Sequence, residues 1–250
     1  SRGEYQNIKH HLYGFQCVKK NFSTGDWLKL TNKKILDLKK KNKIAILVGG
    51  TGLYFKALTN GLVNIPNIPI KLKTKIRSLH KKLGSKNFYS ELIKLDPLVK
   101  NQIKSSDTHR CIRAYEVKLF TKNSIYNWFK NTQSKYEQKD FYKIYIDFPR
   151  NELINRINLR VRKMIENGAI SEVRKFDKFK VQKDKTANKA IGISEVREYL
   201  IKKIDINEVI EKISIKTRQY AKRQSTWARG NMQNWNKMNP IQLKNFLKKI

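Results

Sequence analysis

Three stretches of this chain carry residue types suited to handling an anion. The first is Gly49-Gly50-Thr51-Gly52, which follows the apolar run Ile44-Ala45-Ile46-Leu47-Val48 and precedes Leu53-Tyr54. Glycines there let the backbone turn tightly and approach a ligand without Cβ interference. The amides that open the next helix are then free to meet negative charge. Thr51 adds a hydroxyl at the carboxyl end of the expected strand, where open α/β sheets bind their ligands. An ordinary strand-loop-helix joint is the other reading of the same residues. The second stretch holds Arg156, Arg160 and Lys163, spaced i, i+4 and i+7 on one helix face. Such a stripe can grip phosphates, with arginine offering a bidentate fork, or can simply be a solvated basic face. The third is Thr217–Trp227, in which Arg218 and Lys222, like Arg223 and Trp227, lie one helical turn apart. An aromatic among guanidinium and amide groups suits stacking against RNA. Its alternative is a basic amphipathic helix with Tyr220 and Trp227 in the core.

Two shorter segments are more ambiguous. Ser106-Asp107-Thr108-His109-Arg110 combines a capping acid with a nearby arginine, and a plain helix cap accounts for it equally well. Lys189-Ala190-Ile191-Gly192-Ile193 puts a glycine where a helical pattern begins, often only a close-packing device.

The elements that must position these groups follow from patterning. Ile44–Val48 reads as a strand buried on both faces, as in a parallel sheet. Asp26 is expected to cap a helix over Trp27–Lys40. The proline-punctuated stretch Asn64-Ile65-Pro66-Asn67-Ile68-Pro69 suggests a boundary. Lys71 to about Lys130 reads as helix throughout, its third part running from Asp107 to Thr121. Tyr142–Phe148 is rich in strand formers, and Pro149 suits the first turn of a helix that Gly168 ends. Further helices are expected near 169–180, 190–202 and 206–228. The domain reading is therefore 1–63 as a partial α/β core, 64–140 as a helical insertion, and 141–250 as a return to the core with basic helices.

Composition narrows the function. The 250 residues include 55 Lys and Arg against 20 Asp and Glu, a formal charge of +35. A charge of this size and single sign points to a polyanionic partner, nucleic acid before an acidic membrane surface. Cys17 and Cys111 lack zinc-ligand spacing, which argues against a zinc site or a disulfide framework and fits a reducing, cytoplasmic compartment. The adjacent His10-His11 pair is poorly arranged to share one metal. No apolar run is long enough for a membrane span.

Taken in order, these stretches resemble the bacterial tRNA dimethylallyltransferase (tRNA isopentenyltransferase) family. The matching motifs are HHL at His10–Leu12, LVGGTGLYFKAL at Leu47–Leu58, and D-x-x-R-x-x-R-A-x-E-V from Asp107 to Val117. They continue with R-I-x-x-R-V, M-I-x-x-G and E-V through residues 156–173, A-I-G at 190–192, and T-R-Q-Y-A-K-R-Q-x-T-W at 217–227. The resemblance covers nearly the whole chain. It implies a P-loop-kinase-like α/β core, incomplete at the N-terminus here, with a helical insertion that clasps an anticodon stem. The implied reaction moves a dimethylallyl group from dimethylallyl diphosphate to the exocyclic amine of the adenosine 3′ of the anticodon.

By the same resemblance, Thr51 lies near the reacting centre and Arg160 contacts the diphosphate. Lys73, Ser106, Asp107, Thr108, His109 and Arg110 align with tRNA-contacting positions. So do Lys189, Ala190, Ile191, Gly192, Ile193 and Ser194, although Lys189, Ile193 and Ser194 depart from the family's Q-A-I-G-Y-K/R. Arg156, Arg218, Lys222 and Arg223 are further candidates for phosphate contact. The partners expected are a tRNA anticodon stem-loop and dimethylallyl diphosphate, with a monomeric chain and no membrane.

The family opens with a strand, a G-x-x-x-x-G-K-S/T loop and a D-S-x-Q segment, none of which occurs in these 250 residues. With them go the diphosphate loop, the general-base aspartate and the loop hydroxyl that supports magnesium, the cofactor the resemblance implies. The expectation is a fragment, or the product of a split or decaying gene, inactive without an N-terminal segment. The alternative is a catalytically silent tRNA-binding remnant. A non-specific basic RNA binder is a weaker third reading.

Overall fold

The computed structural model describes residues 4–5 and 8–248. The chain divides into two units, 1–55 with 141–250, and 56–140. A short antiparallel pair, β1 (Glu4–Tyr5) and β2 (Ile8–Lys9), opens the first unit. The next element is α1 (Thr24–Lys39). Its cap is Ser23 rather than Asp26: the Ser23 hydroxyl accepts the Asp26 N–H at 3.1 Å, and the Asp26 carboxylate accepts the Ser23 N–H at 3.0 Å. This reciprocal box starts the helix earlier than its apolar pattern does.

The expected strand over 44–48 is not formed. The segment carries no ladder, and Ile44, Ile46 and Val48 are 86%, 82% and 85% exposed. A strand exists only through its neighbours' hydrogen bonds, and among the described residues nothing pairs with this one. It runs into α2 (Gly52–Asn60), within which the chain passes from the first unit to the second.

The second unit is helical. It contains α3 (Ile70–Leu95), which kinks at Gly84 with φ of 73°, then a 3-10 turn at Pro97–Val99, α4 (Thr108–Thr121) and α5 (Ile125–Lys130). The run expected to be helical through 130 breaks at Asp96 (φ −140°, ψ 86°) because the residue before a proline is pushed out of the α region. Phe88, Leu92, Val99, Ala114 and Val117 are fully buried and form the core where α3 meets α4.

In the first unit, β3 (Ile144–Ile146) pairs in parallel with β4 (Asn236–Met238), Ile144 opposite Asn236 and Ile146 opposite Met238. The strand expected over 142–148 is this short because its partner is. Pro149 caps α6 (Arg150–Glu166), and Gly168, at φ of 94°, turns the chain into α7 (Ala169–Lys178). Then come α8 (Ile193–Leu200), α9 (Ile206–Asn231) and, after β4, α10 (Pro240–Leu247). Ile157 and Val161 of α6, Val173 of α7, Val196 of α8, and Val209 and Ile213 of α9 form one buried cluster. The architecture is a helix-rich α/β fold with a small parallel sheet. No helix among the described residues is long and apolar enough to cross a membrane.

Candidate functional site

Thr51 is exposed and stands just ahead of α2, where its carbonyl accepts the Tyr54 N–H at 3.0 Å. The glycines on either side seat α9. The Gly50 carbonyl accepts a 2.9 Å hydrogen bond from Gln224 Nε2. A Cβ built on Gly50 would overlap that amide, and one on Gly52 would overlap the Trp227 ring. The room that sequence reading reserved for a ligand at these two glycines is therefore filled by α9. Behind the turn, the Trp27 ring stacks on Tyr54 with centroids 4.5 Å apart and planes 12° from parallel. Nothing local to the glycine motif signals these partners, since α9 lies far along the chain.

On α6, Ile157 and Val161 are buried while Arg156, Arg160 and Lys163 are exposed, so the basic stripe faces outward. The Arg156 guanidinium lies 4.7 Å from the centroid of the Phe148 ring, a cation–π contact that orients it. On α9, Lys222 and Arg223 are exposed, Arg218 is half-buried, and Arg223 sits 5.6 Å over the Tyr220 ring. Tyr220 is outside the core and Trp227 is packed on Gly52, so the two aromatics divide between the alternatives drawn from sequence. A groove of about 690 Å³ is lined by residues of α6 and α9. Its lining alternates Arg162 and Arg218 with Glu166 and Glu211, which does not single out an anion.

In the second unit, Asp107 caps α4 by accepting the Arg110 N–H at 3.1 Å, and its carboxylate lies 3.3 Å from Arg110 Nε. The Arg110 side chain is still 74% exposed, so capping leaves it available to a ligand. Thr108 Oγ1 lies 3.4 Å from Ser85 Oγ, whereas Ser106 and His109 are exposed. Lys73 stands in the first turn of α3, half-buried, its N–H bonded to the Pro69 carbonyl at 3.1 Å.

Residues 189–194 form the turn into α8. Lys189, Ala190 and Ser194 are exposed, Ile191 and Ile193 half-buried, and Gly192 is buried at φ of 108°. Sequence reading missed the carboxylate that organises this turn. Glu195, 1% exposed, accepts the Gly192 N–H and the Ser194 hydroxyl, each at 2.9 Å, and pairs with Lys216 Nζ. Burial alone would raise its pKa, but Lys216 and the other donors together hold it below the ordinary value. The available signal was Glu195 itself, three residues after a glycine cap, as in a capping box.

Among the described residues, no group of three or more His, Cys, Asp or Glu is arranged to hold a metal. Cys17 is exposed, and Cys111 is buried in the second unit.

The IPP transferase family pattern matches residues 1–231. The chain is 54% identical to the tRNA dimethylallyltransferase of Pelagibacter ubique over 250 residues, all of this chain and 80% of that protein. It is 39% identical to the enzyme of the same name from Rickettsia massiliae over 228 residues, 90% of this chain and 62% of the other. The fold is similar to the tRNA isopentenylpyrophosphate transferase of Bacillus halodurans, with a TM-score of 0.61, 29% identity, and coverage of 93% and 72%. It is also similar to a eukaryotic dimethylallyltransferase acting on tRNA, with a TM-score of 0.76 over 93% and 60% of the two chains; at 24% identity this likeness concerns the fold alone. The chain spans 80% and 62% of the Pelagibacter and Rickettsia relatives' own lengths, which does not bear on the expected loss of an N-terminal segment.

Proposed function

This chain belongs to the IPP transferase family, and on that premise we propose that it transfers a dimethylallyl group from dimethylallyl diphosphate to the exocyclic amine of the adenosine 3′ of the anticodon in tRNA. The amine nitrogen forms a bond to the allylic carbon while the carbon–oxygen bond to diphosphate breaks. The electron pair leaves with the diphosphate and the nitrogen releases a proton. Charge builds on the leaving group, so oriented donors there lower the barrier.

One observation supports the reading: Thr51 stays exposed on a turn that Gln224 and Trp227 of α9 hold in place, and the same helix carries Lys222 and Arg223 exposed. In this proposal Thr51 offers its hydroxyl near the reacting carbon. Arg160 holds the diphosphate, with Arg156 beside it on the α6 stripe. Lys73 and Ser106–Arg110 meet the anticodon stem, as do 189–194 and Arg218, Lys222 and Arg223. A cationic, partly aromatic surface offsets the cost of taking the adenine out of its stack. The side chains packed on Gly50 and Gly52 are an amide and an indole, which give magnesium no carboxylate to bind; were the ion to accompany the diphosphate, it would neutralise charge on the leaving group.

A second reading, tRNA binding without transfer, draws on the unpaired segment 44–48, whose exposed Ile44, Ile46 and Val48 leave the approach to Thr51 without a ladder. Incubating the 250-residue chain with labelled dimethylallyl diphosphate and an unmodified tRNA separates the two. Label in the tRNA supports transfer. Stem-loop binding without label supports the second reading, and neither binding nor label overturns both.

A further inference from the structure

The turn at 188–194 is held from both flanks by charged side chains that start on one short helix. Upstream, Arg197 donates from Nε and Nη2 to Asp177 Oδ1, at 2.9 and 2.5 Å, and from Nη2 to Asn188 Oδ1 at 3.0 Å. Asn188 in turn donates to the Gln182 carbonyl at 2.8 Å, and through Arg197 the chain entering the turn is tied to Asp177 of α7. Downstream, buried Glu195 takes the Gly192 N–H, the Ser194 hydroxyl and Lys216 of α9. Glu198, one turn further along α8, pairs with Lys212 of α9 at 2.8 Å. Only 20 of the 250 residues are acidic, yet three of them, Asp177, Glu195 and Glu198, converge on this one region.

Stability is a poor reason for the arrangement. Ion pairs as exposed as Arg197–Asp177 and Lys212–Glu198 add little net stability, and the buried Glu195 carboxylate meets a Lys216 that is itself half exposed, which makes its pair a weak source of stability too. What it does provide is a single geometry, because every lone pair of a desolvated carboxylate demands a partner in place. The segment so constrained leaves Lys189, Ala190 and Ser194 exposed, with its one positive-φ residue, Gly192, locked by Glu195. An exposed basic turn ordered in advance loses less freedom on meeting a ligand.

Resting on the reading of 189–194 as an RNA-contact turn, we infer that Glu195 and Arg197 are positioning residues. They shape this turn for the anticodon stem without touching RNA. Because Glu195 anchors it to α9, the turn is carried on the same helix whose Gln224 holds the Gly50 carbonyl.

The test measures affinity of the 250-residue chain for an anticodon stem-loop RNA, with amide hydrogen exchange across 188–194 and the melting temperature alongside. Glu195→Gln and Arg197→Ala are each expected to weaken affinity about tenfold, equivalent to about 1.4 kcal/mol, and to speed exchange at Gly192. Lys216→Arg, which keeps the charge, is expected to retain wild-type affinity. If Glu195→Gln fails to fold, Asp177→Asn at its exposed pair carries the test, with the same expectation as Arg197→Ala. Faster exchange with unchanged affinity overturns the inference. Lys189→Ala separates the two levels. If it weakens binding while the Glu195 and Asp177 variants do not, only the positioning role falls. If it leaves binding intact, the RNA-contact reading of the turn falls, and the inference with it.

Discussion

Gln224 Nε2 donates a 2.9 Å hydrogen bond to the carbonyl of Gly50, the residue immediately before Thr51. A helix rich in arginine and lysine thereby sets the backbone from which the candidate catalytic hydroxyl projects. On the other side of Thr51, Gly52 faces the flat of Trp227. The two glycines should therefore respond differently to the same substitution. Gly52→Ala drives a methyl into a rigid indole, and overpacking of this kind typically costs about 1–3 kcal/mol. Gly50→Ala meets only the end of a flexible glutamine, which can swing away. Denaturant unfolding of both variants checks this, with Gly52→Ala expected to lose clearly more stability. Equal losses would mean the Trp227 contact is not rigid.

Thr51→Ala and Arg160→Ala are expected to slow transfer far more than they weaken tRNA binding. Removing one oriented donor to a developing oxyanion typically costs about 2.7–4 kcal/mol in the barrier. Both side chains are exposed, so the fold should tolerate either change. Arg160→Ala should also lose more affinity for the diphosphate, because it carries full charge. Single-turnover rates and stem-loop affinity measured side by side decide the matter. Parallel losses in both would identify a binding residue instead.

Binding to an anticodon stem-loop should weaken steeply with salt, since each phosphate contact releases roughly 0.7–0.9 of a counterion. Lys73→Ala and Arg110→Ala should each flatten that slope. Asp107 holds a negative charge 3.3 Å from Arg110 Nε, so Asp107→Asn, which removes that charge, is expected to strengthen RNA binding slightly. A salt titration of affinity for the three variants checks the set. Unchanged slopes would assign these residues to helix structure alone.

The buried Glu195 predicts an acid-sensitive first unit. Its carboxyl is held below the ordinary value of 4.5, chiefly by Lys216 acting against burial. A depressed carboxylate pKa contributes stability that is fully present above about pH 4.5 and is lost as pH falls through the lower, folded value. Melting temperature followed from pH 7 to pH 3 should therefore fall more steeply for the wild type than for Glu195→Gln. Parallel curves would show that Glu195 does not carry this acid limb.

Much of the helical framework was legible because its signals are local. Asp107 does cap α4, Pro149 does open α6, and Gly168 does turn the chain with a positive φ. Each such feature is a bond or a backbone preference within four residues, which spacing along the chain can express. The family motifs singled out Thr51, Arg160 and the 189–194 turn as candidates without any view of their surroundings. Signals of the same type but different reach misled. Asp26 resembled a cap and proved to be the reciprocal partner of Ser23. Ile44–Val48 resembled a buried strand and stands extended and unpaired, because β-branching favours an extended backbone but cannot supply a neighbour.

From its residues alone, then, this protein's charge, most of its helices and the order of its candidate anion-handling segments were determined, since composition, capping and periodicity are properties of short stretches. Tertiary structure alone decided which distant side chains complete them. Gln224 lies 174 residues from the Gly50 carbonyl it holds, and Lys216 is 21 residues from Glu195. β4 becomes a strand only beside β3. A hydrogen-bonding or charged group announces in the sequence that it requires a partner when buried. Which partner it receives depends on how the chain packs.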